Sequence, residues 1–438
     1  MRSTLFALAS GVGRAGSAVW RLSGPQAGAI VQALAGRLPP PRHAAYCRLK
    51  NAEGLLIDQG LVLWFPAPAS FTGEDMAELQ IHGGRAVAKV MSDALIALGA
   101  SPAEPGEFTR RAVLNGKLDL TQAESIVDLV DAETEQQRAQ ALQQAQGALA
   151  KQVEAWRTDL IRAAGYLEAT IDFAEEDIPP DLLRRVQNSV QVLAQSIGDA
   201  LAQSVRGERL RQGFAVAILG APNAGKSSLL NQIAGRDAAI VSQVAGTTRD
   251  VIEVDLDLNG WPVILSDTAG LRDAADEIEQ EGIRRARAIA DRADLKLVVF
   301  DGCVLPQLDP QSLSLLDNRS LVVVNKMDQA KALPDCIEGQ PYFSVSALSG
   351  QGIDDLLLAL ESRAESSMSG QGVLFGRARH RAALTGAVEC LNRFDLDLGV
   401  ELAAEELRCA SNAIGQITGM ILADDVLDVV FREFCIGK

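Results

Sequence analysis

Over the first 118 residues the apolar positions fall in short runs, "GLVLWF" and "AELQIHGG" among them, separated by turn-rich stretches such as "PAPASFTGED" and "PAEPGEF". Short apolar runs bounded by Gly, Pro and Asp clusters read as strands, so this segment reads as a compact α/β domain. From about Asp119 to Gly207 the texture turns to Ala, Leu and Gln. There Leu142, Leu149, Val153, Trp156, Leu160 and Leu167 recur at three-, four- and seven-residue intervals, which lays one apolar stripe along long helices. Pro179-Pro180 should break them. Residues 213–368 then alternate strand-like runs ("FAVAILG", "VIEVDLDL", "PVILSDTAG", "LKLVVFDG", "SLVVVNKMD", "YFSVSAL") with helical patterns. Alternating β and α predicts a doubly wound, mostly parallel sheet. Helical texture returns from about Arg377 ("LTGAVECLNRF", "AAEELRCASNAIGQI", "DDVLDVVFREF"). The expected architecture is therefore an N-terminal α/β domain over 1–118 and a helical domain in two parts, 119–212 and 375–438. An α/β domain over 213–374 interrupts the helical one.

Length agrees with that division, since 438 residues suggest about three domains of roughly 150 residues each. No apolar run approaches the ~18 residues of a membrane span. The opening "MRSTLFALASGVGRAG" shares a charged start and a short apolar stretch with signal peptides. It reads equally as a first strand and a Gly-rich turn, and is taken as structure. Six cysteines stand singly with no CxxC, which argues against zinc and against a disulfide framework, so a reducing cytoplasm is the expected setting. Three histidines leave little for a His-rich metal site or a Ser-His-Asp triad. A net charge of -16 means that the chain should not coat RNA unaided, because non-specific affinity comes from Lys and Arg on phosphates. The basic runs "RGERLRQG" (206–213) and "GRARHR" (376–381) read either as a local patch or, preferably, as solvated helix ends.

The chemistry lies in four motifs. "GAPNAGKS" (Gly220 to Ser227) follows the strand "FAVAILG" and precedes the helix "KSSLLNQIAG", which is the strand-loop-helix context of a P-loop. Its backbone N–H groups and helix N-terminus would wrap phosphate oxygens, Lys226 would reach the β- and γ-phosphates, and Ser227 would ligate magnesium. "NKMD" (Asn325 to Asp328) follows "SLVVV" and sets a carboxylate at the C-terminal end of a strand, where open α/β sheets bind ligands. Asp328 can accept from both donors on the guanine edge, which adenine does not offer; this disfavours an ATP-using kinase. "DTAG" (Asp267 to Gly270) and "SAL" (Ser346 to Leu348) complete the order. Asp267 would hold magnesium through water, Gly270 would sense the γ-phosphate, and Thr248 of "GTTRD" would be the switch threonine on magnesium.

Two positions stand out against this pattern. After "DTAG" comes Leu271, which cannot polarise a water, where many small GTPases place Gln. Asn223 in the P-loop offers an oxygen that could help hold a monovalent cation where an arginine finger would otherwise act. The acidic stretch "DAADEIEQEG" (273–282) supplies several carboxylates, mostly solvated, one of which could orient water. At the other end "FCIGK" does not fit the prenylation box. The residues alone leave Cys435 open between a buried small hydrophobe and a functional thiol.

The motifs "GAPNAGKSSLLN", "AAIVSQVAGTTRDV", "DTAGLRDAADEIEQEGI" and "NKMD", with "SFTGEDMAELQIHGG", "PGEFTRRAVLNGKLDLTQAESI" and the terminal "FCIGK", resemble the tRNA modification GTPase MnmE (TrmE) family over essentially the whole chain. The resemblance implies GTP contacts at Asn223, Ala224, Gly225, Lys226, Ser227 and Ser228. It implies others at Ser242, Gln243, Val244, Ala245, Gly246, Thr247 and Thr248; at Asp267, Thr268, Ala269 and Gly270; and at Asn325, Lys326, Asp328, Ser346, Ala347 and Leu348. It implies Mg2+ on Ser227 and Thr248, and K+ on Asn223 with the carbonyls of Ser242, Val244 and Thr247 when two GTPase domains meet. Glu279 would be the catalytic glutamate, orienting the attacking water through a second water and so answering for the missing Gln. The N-terminal domain would bind 5-formyl- or 5,10-methylene-tetrahydrofolate through Arg21, Glu78, Lys117 and Lys438, and would form the homodimer. Cys435, on a tail that reaches the folate pocket, would be a functional thiol. With a flavin-dependent MnmG (GidA) partner, such proteins add an aminomethyl-type group to C5 of the wobble uridine of tRNA. The rival from another class is a regulatory ribosome-assembly GTPase with flanking binding modules.

Overall fold

The computed structural model describes residues 3–11, 13–172, 181–236, 238–240, 252–267, 288–330, 334–370, 375–420, 430–431, 434 and 437. The chain divides into two units, one of Met1–Val127, Gln144–Arg157 and Ile414–Lys438, the other of Asp128–Gln143 and Thr158–Ala413.

The first unit is built on β1 (Leu5–Leu8), β2 (Ala15–Ser23), helix α1 (Ala27–Ala35), β3 (Ala45–Lys50), β4 (Leu56–Phe65), β5 (Met76–Gly83), α2 (Arg85–Ala97), β6 (Ser101–Pro102) and α3 (Glu107–Leu114). The six strands form one sheet in the order β3-β4-β5-β2-β1-β6, antiparallel except for the β1–β6 pair. Alternation assigns its two faces. Phe6, Trp20, Leu22, Leu49 and Leu79 join Ile30 and Val31 of α1 and Met91 and Leu95 of α2, while Leu5, Ala7 and Met76 join Phe108 of α3 on the other face. Helix α4 (Leu120–Asp131) starts next, and Leu120 and Ala123 pack with Val430, Phe431 and Phe434 from the far end of the chain.

Helices α5 (Glu135–Ala145) and α6 (Ala148–Asp172) follow, with Gly147 between them. The expected apolar stripe therefore starts at Leu149, since Leu149, Val153, Trp156, Leu160 and Leu167 are buried on α6 while Leu142 is half-buried on α5. Pro179-Pro180 lies outside the described residues.

In the second unit α7 (Leu182–Gln212) buries Val186, Val190, Leu193 and Ile197 along one stripe and runs through Gly213 into a sheet. That sheet comprises β7 (Phe214–Gly220), followed by helix α8 (Lys226–Ala234), β8 (Ala239–Ile240), β9 (Ile252–Leu258), β10 (Trp261–Asp267) and β11 (Leu295–Asp301). After the short helix α9 (Pro310–Leu313) come β12 (Ser320–Asn325) and β13 (Tyr342–Ser344), then helix α10 (Ile353–Met368). The order is β13-β12-β11-β7-β10-β9-β8, parallel from β13 to β10 and antiparallel at β9 and β8. Both faces are covered, as a parallel sheet requires. Leu229, Leu230 and Ile233 of α8 with Ile353, Leu356 and Leu360 of α10 cover Val216 and Ile218, and Ala290 and Ala293 cover Ala217 and Leu219. The architecture is the doubly wound, mostly parallel sheet that the alternation implied, set between helical segments. Helices α11 (Ala378–Arg393) and α12 (Val400–Thr418) complete it, α11 packing along α7.

The two basic runs find partners within the second unit. Arg209 donates to Asp294 at 2.6 Å, Arg211 to the Gly376 carbonyl at 3.1 Å and Arg206 to the Ser369 carbonyl at 3.1 Å. Arg377 pairs with Asp128 at 2.6 Å and Arg381 with Glu208. Arg211 and Arg381 tie the end of α7 to the start of α11, Arg209 ties it to the segment before β11, Arg206 to the end of α10, and Arg377 ties the start of α11 to α4. Arg377 is largely buried by its pair, while Arg206 stays exposed at the helix surface.

Candidate functional site

In the second unit the motif residues gather at the C-terminal ends of β7, β10 and β12. β7 ends at Gly220, and the chain turns through Asn223 (φ 64) and Gly225 (φ 90) before Lys226 opens α8. Gly225 is required there, because a Cβ in that left-handed conformation would collide with the side-chain amide of Asn325. The loop thus delivers the chain into the N-terminus of an α-helix, a backbone feature that suits an anion. Lys226 is 8 % exposed, and its Nζ donates to the Gly220 and Ala221 carbonyls, both at 2.9 Å. Asn223, Ser227 and Ser228 are exposed, whereas Ala224 is buried. The Ser227 hydroxyl donates to Asp267 Oδ2 at 2.5 Å, and Asp267, at the end of β10, is fully buried. A serine oxygen and a carboxylate in contact beside a helix N-terminus make an all-oxygen donor set, which fits a hard divalent cation such as magnesium.

Asn325 ties this loop to the β12 end. It is 1 % exposed; its Nδ2 donates to the Ala224 carbonyl at 2.9 Å and the Gly225 carbonyl at 3.4 Å, and its Oδ1 accepts from the Lys326 and Ala347 amides at 2.8 and 3.0 Å. One side chain thus joins the P-loop, "NKMD" and "SAL". Lys326 (φ 61) donates to Asp301 at 2.7 Å. Burial would raise the Asp301 carboxyl, but this lysine and the Cys303 amide hold it below its ordinary value. Asp328 is exposed, and a hydrogen bond from the buried Ser346 hydroxyl holds its carboxyl low, so it stands ionised as an acceptor. Ala347 is buried and Leu348 is 83 % exposed. The remaining expected positions on this unit, Ser242, Gln243, Val244, Ala245, Gly246, Thr247, Thr248, Thr268, Ala269, Gly270 and Glu279, lie outside the described residues.

In the first unit, Arg21 of β2 sits in register with Glu78 of β5 and donates to its Oε1 from Nε at 3.2 Å and from Nη2 at 3.0 Å. The Arg21 guanidinium also lies 5.6 Å from the centre of the Phe71 ring, a cation–π distance, and Nη1 reaches the Gly437 carbonyl at 3.4 Å. Gly437 has φ 98, and a Cβ there would sit 2.6 Å from the Leu8 carbonyl oxygen, so the tail is pressed against the end of β1. Lys117 donates to the Pro68 carbonyl at 3.1 Å. The loop from Pro66 to Asp75 therefore meets Arg21 through Phe71 and Lys117 through Pro68. Cys435 and Lys438, on either side of the buried Gly437, lie outside the described residues.

The sequence reading missed what holds that loop. Ser23 Oγ lies 2.7 Å from Thr72 Oγ1 and donates to Glu74 at 2.8 Å, while Arg111 donates to Glu74 and to the Ser3 carbonyl, both at 2.9 Å. Asn115 donates to the Thr72 carbonyl at 2.6 Å. Arg111 is 6 % exposed, and a charge so buried needs such partners. The quoted "SFTGED" and "PGEFTRRAVLN" were the available signal, although nothing in either says that they meet.

The chain matches two family models, the GTP-binding protein TrmE N-terminus over residues 4–117 and the MnmE helical domain over residues 120–435. Among its relatives, a protein of Paramagnetospirillum magneticum named tRNA modification GTPase MnmE is 56 % identical over 441 residues, covering 100 % of both chains. Proteins of the same name from Rhodospirillum rubrum and Parvibaculum lavamentivorans are 51 % identical (99 % of both chains) and 52 % identical (99 % of this chain, 100 % of that one).

Proposed function

The chain belongs to the MnmE (TrmE) family of tRNA modification GTPases, and on that premise we propose that it binds and hydrolyses GTP to drive modification of tRNA. In this proposal it works in the cytoplasm as a homodimer with a flavin-dependent MnmG-type partner. Together they install an aminomethyl-type group at C5 of the wobble uridine, using a one-carbon unit from 5-formyl- or 5,10-methylene-tetrahydrofolate. The proposed division of labour follows segments 1–118 for folate and dimerisation, 119–212 and 375–438 for the helical part, and 213–374 for GTP. The observation that supports the reading is the Asn325 bridge, which joins the Gly220–Ser227 loop to the segments of "NKMD" and "SAL" at the C-terminal ends of β7 and β12. Among the described residues, no helix is long and apolar enough to cross a membrane.

In the proposed mechanism the α8 N-terminus and Lys226 neutralise the phosphates, Ser227 and Asp267 hold the magnesium-side oxygens, and Asp328 selects the base. Bound Mg2+ would supply charge neutralisation at the β- and γ-phosphates. Asn223 and the carbonyls of Ser242, Val244 and Thr247 would hold K+ at a second face, with Thr248 closing on magnesium. Glu279 orients the attacking water. Arg21, Glu78, Lys117 and Lys438 hold the folate, beside which Cys435 acts as a functional thiol. Phe71, whose ring lies 5.6 Å from the Arg21 guanidinium, would give a pterin an apolar neighbour.

Two substitutions separate the chemistries. Cys435→Ser should leave GTP turnover near wild type and abolish tRNA modification, since the thiol belongs to the tail. Glu279→Ala should slow single-turnover hydrolysis by about 100-fold, the usual scale for a group handling the reacting water, with GTP affinity kept. Normal modification by Cys435→Ser would remove the thiol from the proposal, and full-rate hydrolysis by Glu279→Ala would remove the glutamate.

A further inference from the structure

Away from the nucleotide and tail residues, α11 and α12 bring two thiols together. Cys390 and Cys409 are 19 positions apart in the chain, and their sulfurs lie 2.7 Å from each other, against about 2.05 Å in a covalent disulfide. Cys390 is 3 % exposed and Cys409 is exposed, so solution reagents meet Cys409 first. Glu406, one helical turn before Cys409, accepts from Arg393 Nε and Nη2 at 3.0 Å each, and Arg393 Nη2 also lies 3.3 Å from Cys390 Sγ.

Two chemistries compete for this cluster. Cys390, Glu406 and Cys409 each offer one donor atom, all within 4.8 Å of one another, which could suggest a metal. A structural zinc site takes four ligands, however, and here the Arg393 guanidinium already supplies the positive charge against both the carboxylate and the buried sulfur. A charged metal ion would have to displace it. The two sulfurs themselves already lie 2.7 Å apart.

We propose that Cys390 and Cys409 form a reversible oxidation site, closing an inter-helix disulfide on reaction with a low-molecular-weight disulfide such as oxidised glutathione. The Cys409 thiolate attacks one oxidant sulfur, forms a mixed disulfide and expels the first glutathione thiolate, which takes up the proton that Cys409 gave to solvent. Cys390 then loses its proton and attacks Cys409 Sγ, forming the Cys390–Cys409 bond and releasing the second glutathione, which is protonated in turn. Two protein thiols are oxidised and one disulfide is reduced to two thiols, with no electron or proton left over. Burial, together with the neighbouring Cys409 thiol, pushes Cys390 up to about 11 and keeps its thiolate scarce, so it is the 2.7 Å approach of the two sulfurs that favours the second, intramolecular step. The bond ties α12 to α11, the helix that packs along α7 at the entry to the nucleotide-bearing sheet.

The test uses the reduced full-length chain, incubated with oxidised glutathione under anaerobic conditions, quenched in acid and mapped by peptide mass spectrometry. The expected product is a cross-linked peptide pair joining Cys390 to Cys409, lighter by about 2 Da than the two free peptides and restored by dithiothreitol. Cys390→Ser should trap glutathione on Cys409, and Cys409→Ser should leave Cys390 unmodified. A wild-type chain that carries glutathione on Cys409 without the cross-link, or in which neither thiol reacts, overturns the proposal. So does one equivalent of zinc that survives desalting and is lost in Cys409→Ser; the wild-type measurements decide even if a variant folds poorly.

Discussion

Replacing Asn325 with Ala removes the side chain that joins three motifs, and the cost can be worked from its contacts. The amides of Lys326 and Ala347 lose their acceptor, and the carbonyls of Ala224 and Gly225 lose their donor, the 3.4 Å bond being weak. A buried polar group left unpaired costs about 1–3 kcal/mol. Two stranded amides in a site that water can partly refill give about 2–4 kcal/mol in total. Hydrogen exchange of amides in β7, α8 and β12 should read this as a 30- to 1000-fold acceleration, since about 1.4 kcal/mol is tenfold. Asn325→Asp is the matched control. It keeps an acceptor for the two amides but sets a carboxylate against the Ala224 carbonyl, so it too should accelerate exchange and lose GDP affinity. A change below threefold in exchange with nucleotide affinity intact would refute the claim that this residue bolts the P-loop to the base-reading loop.

Asp328→Asn should weaken GTP binding by about 100-fold, the loss of two bonds to a charged acceptor at about 1.5 kcal/mol each, and should gain xanthosine triphosphate; equal affinities before and after would clear Asp328 of base reading. GTP hydrolysis should run faster in potassium than in sodium at matched ionic strength, and equal rates would discard the role proposed for Asn223. Gly437→Ala forces a Cβ towards the Leu8 carbonyl at φ 98, so tetrahydrofolate affinity should fall by about tenfold with GTP turnover unchanged. Unaltered folate binding in that variant would detach the tail from the pocket.

What could be read from the sequence was what is local. The P-loop, "NKMD" and each strand before them are contiguous signals whose meaning depends on few neighbours, and β7, β10 and β12 end at those residues. Distant pairings carried no such signal. Arg21 and Gly437 are 416 positions apart, and no periodicity connects them. The arginines of 206–213 and 376–381 looked like surface charge because a sequence does not say which carboxylates will face them. Cys390 and Cys409 counted only among six single cysteines because pairing was sought in short spacings, whereas two helices bring these sulfurs together. Leu142 failed to join the α6 stripe because Gly147 intervenes, a break that apolar spacing alone does not register.

The central claim is that this chain's GTPase cycle serves wobble-uridine modification, and one measurement reaches it directly. Transfer RNA from cells lacking the protein is digested to nucleosides and compared with wild type by mass spectrometry. The account expects the aminomethyl-type C5 substituent to disappear from wobble uridine and to return with the intact gene, but not with the Cys435→Ser form. Wobble uridines that stay fully modified in the absence of the protein would contradict it and leave the ribosome-assembly alternative standing.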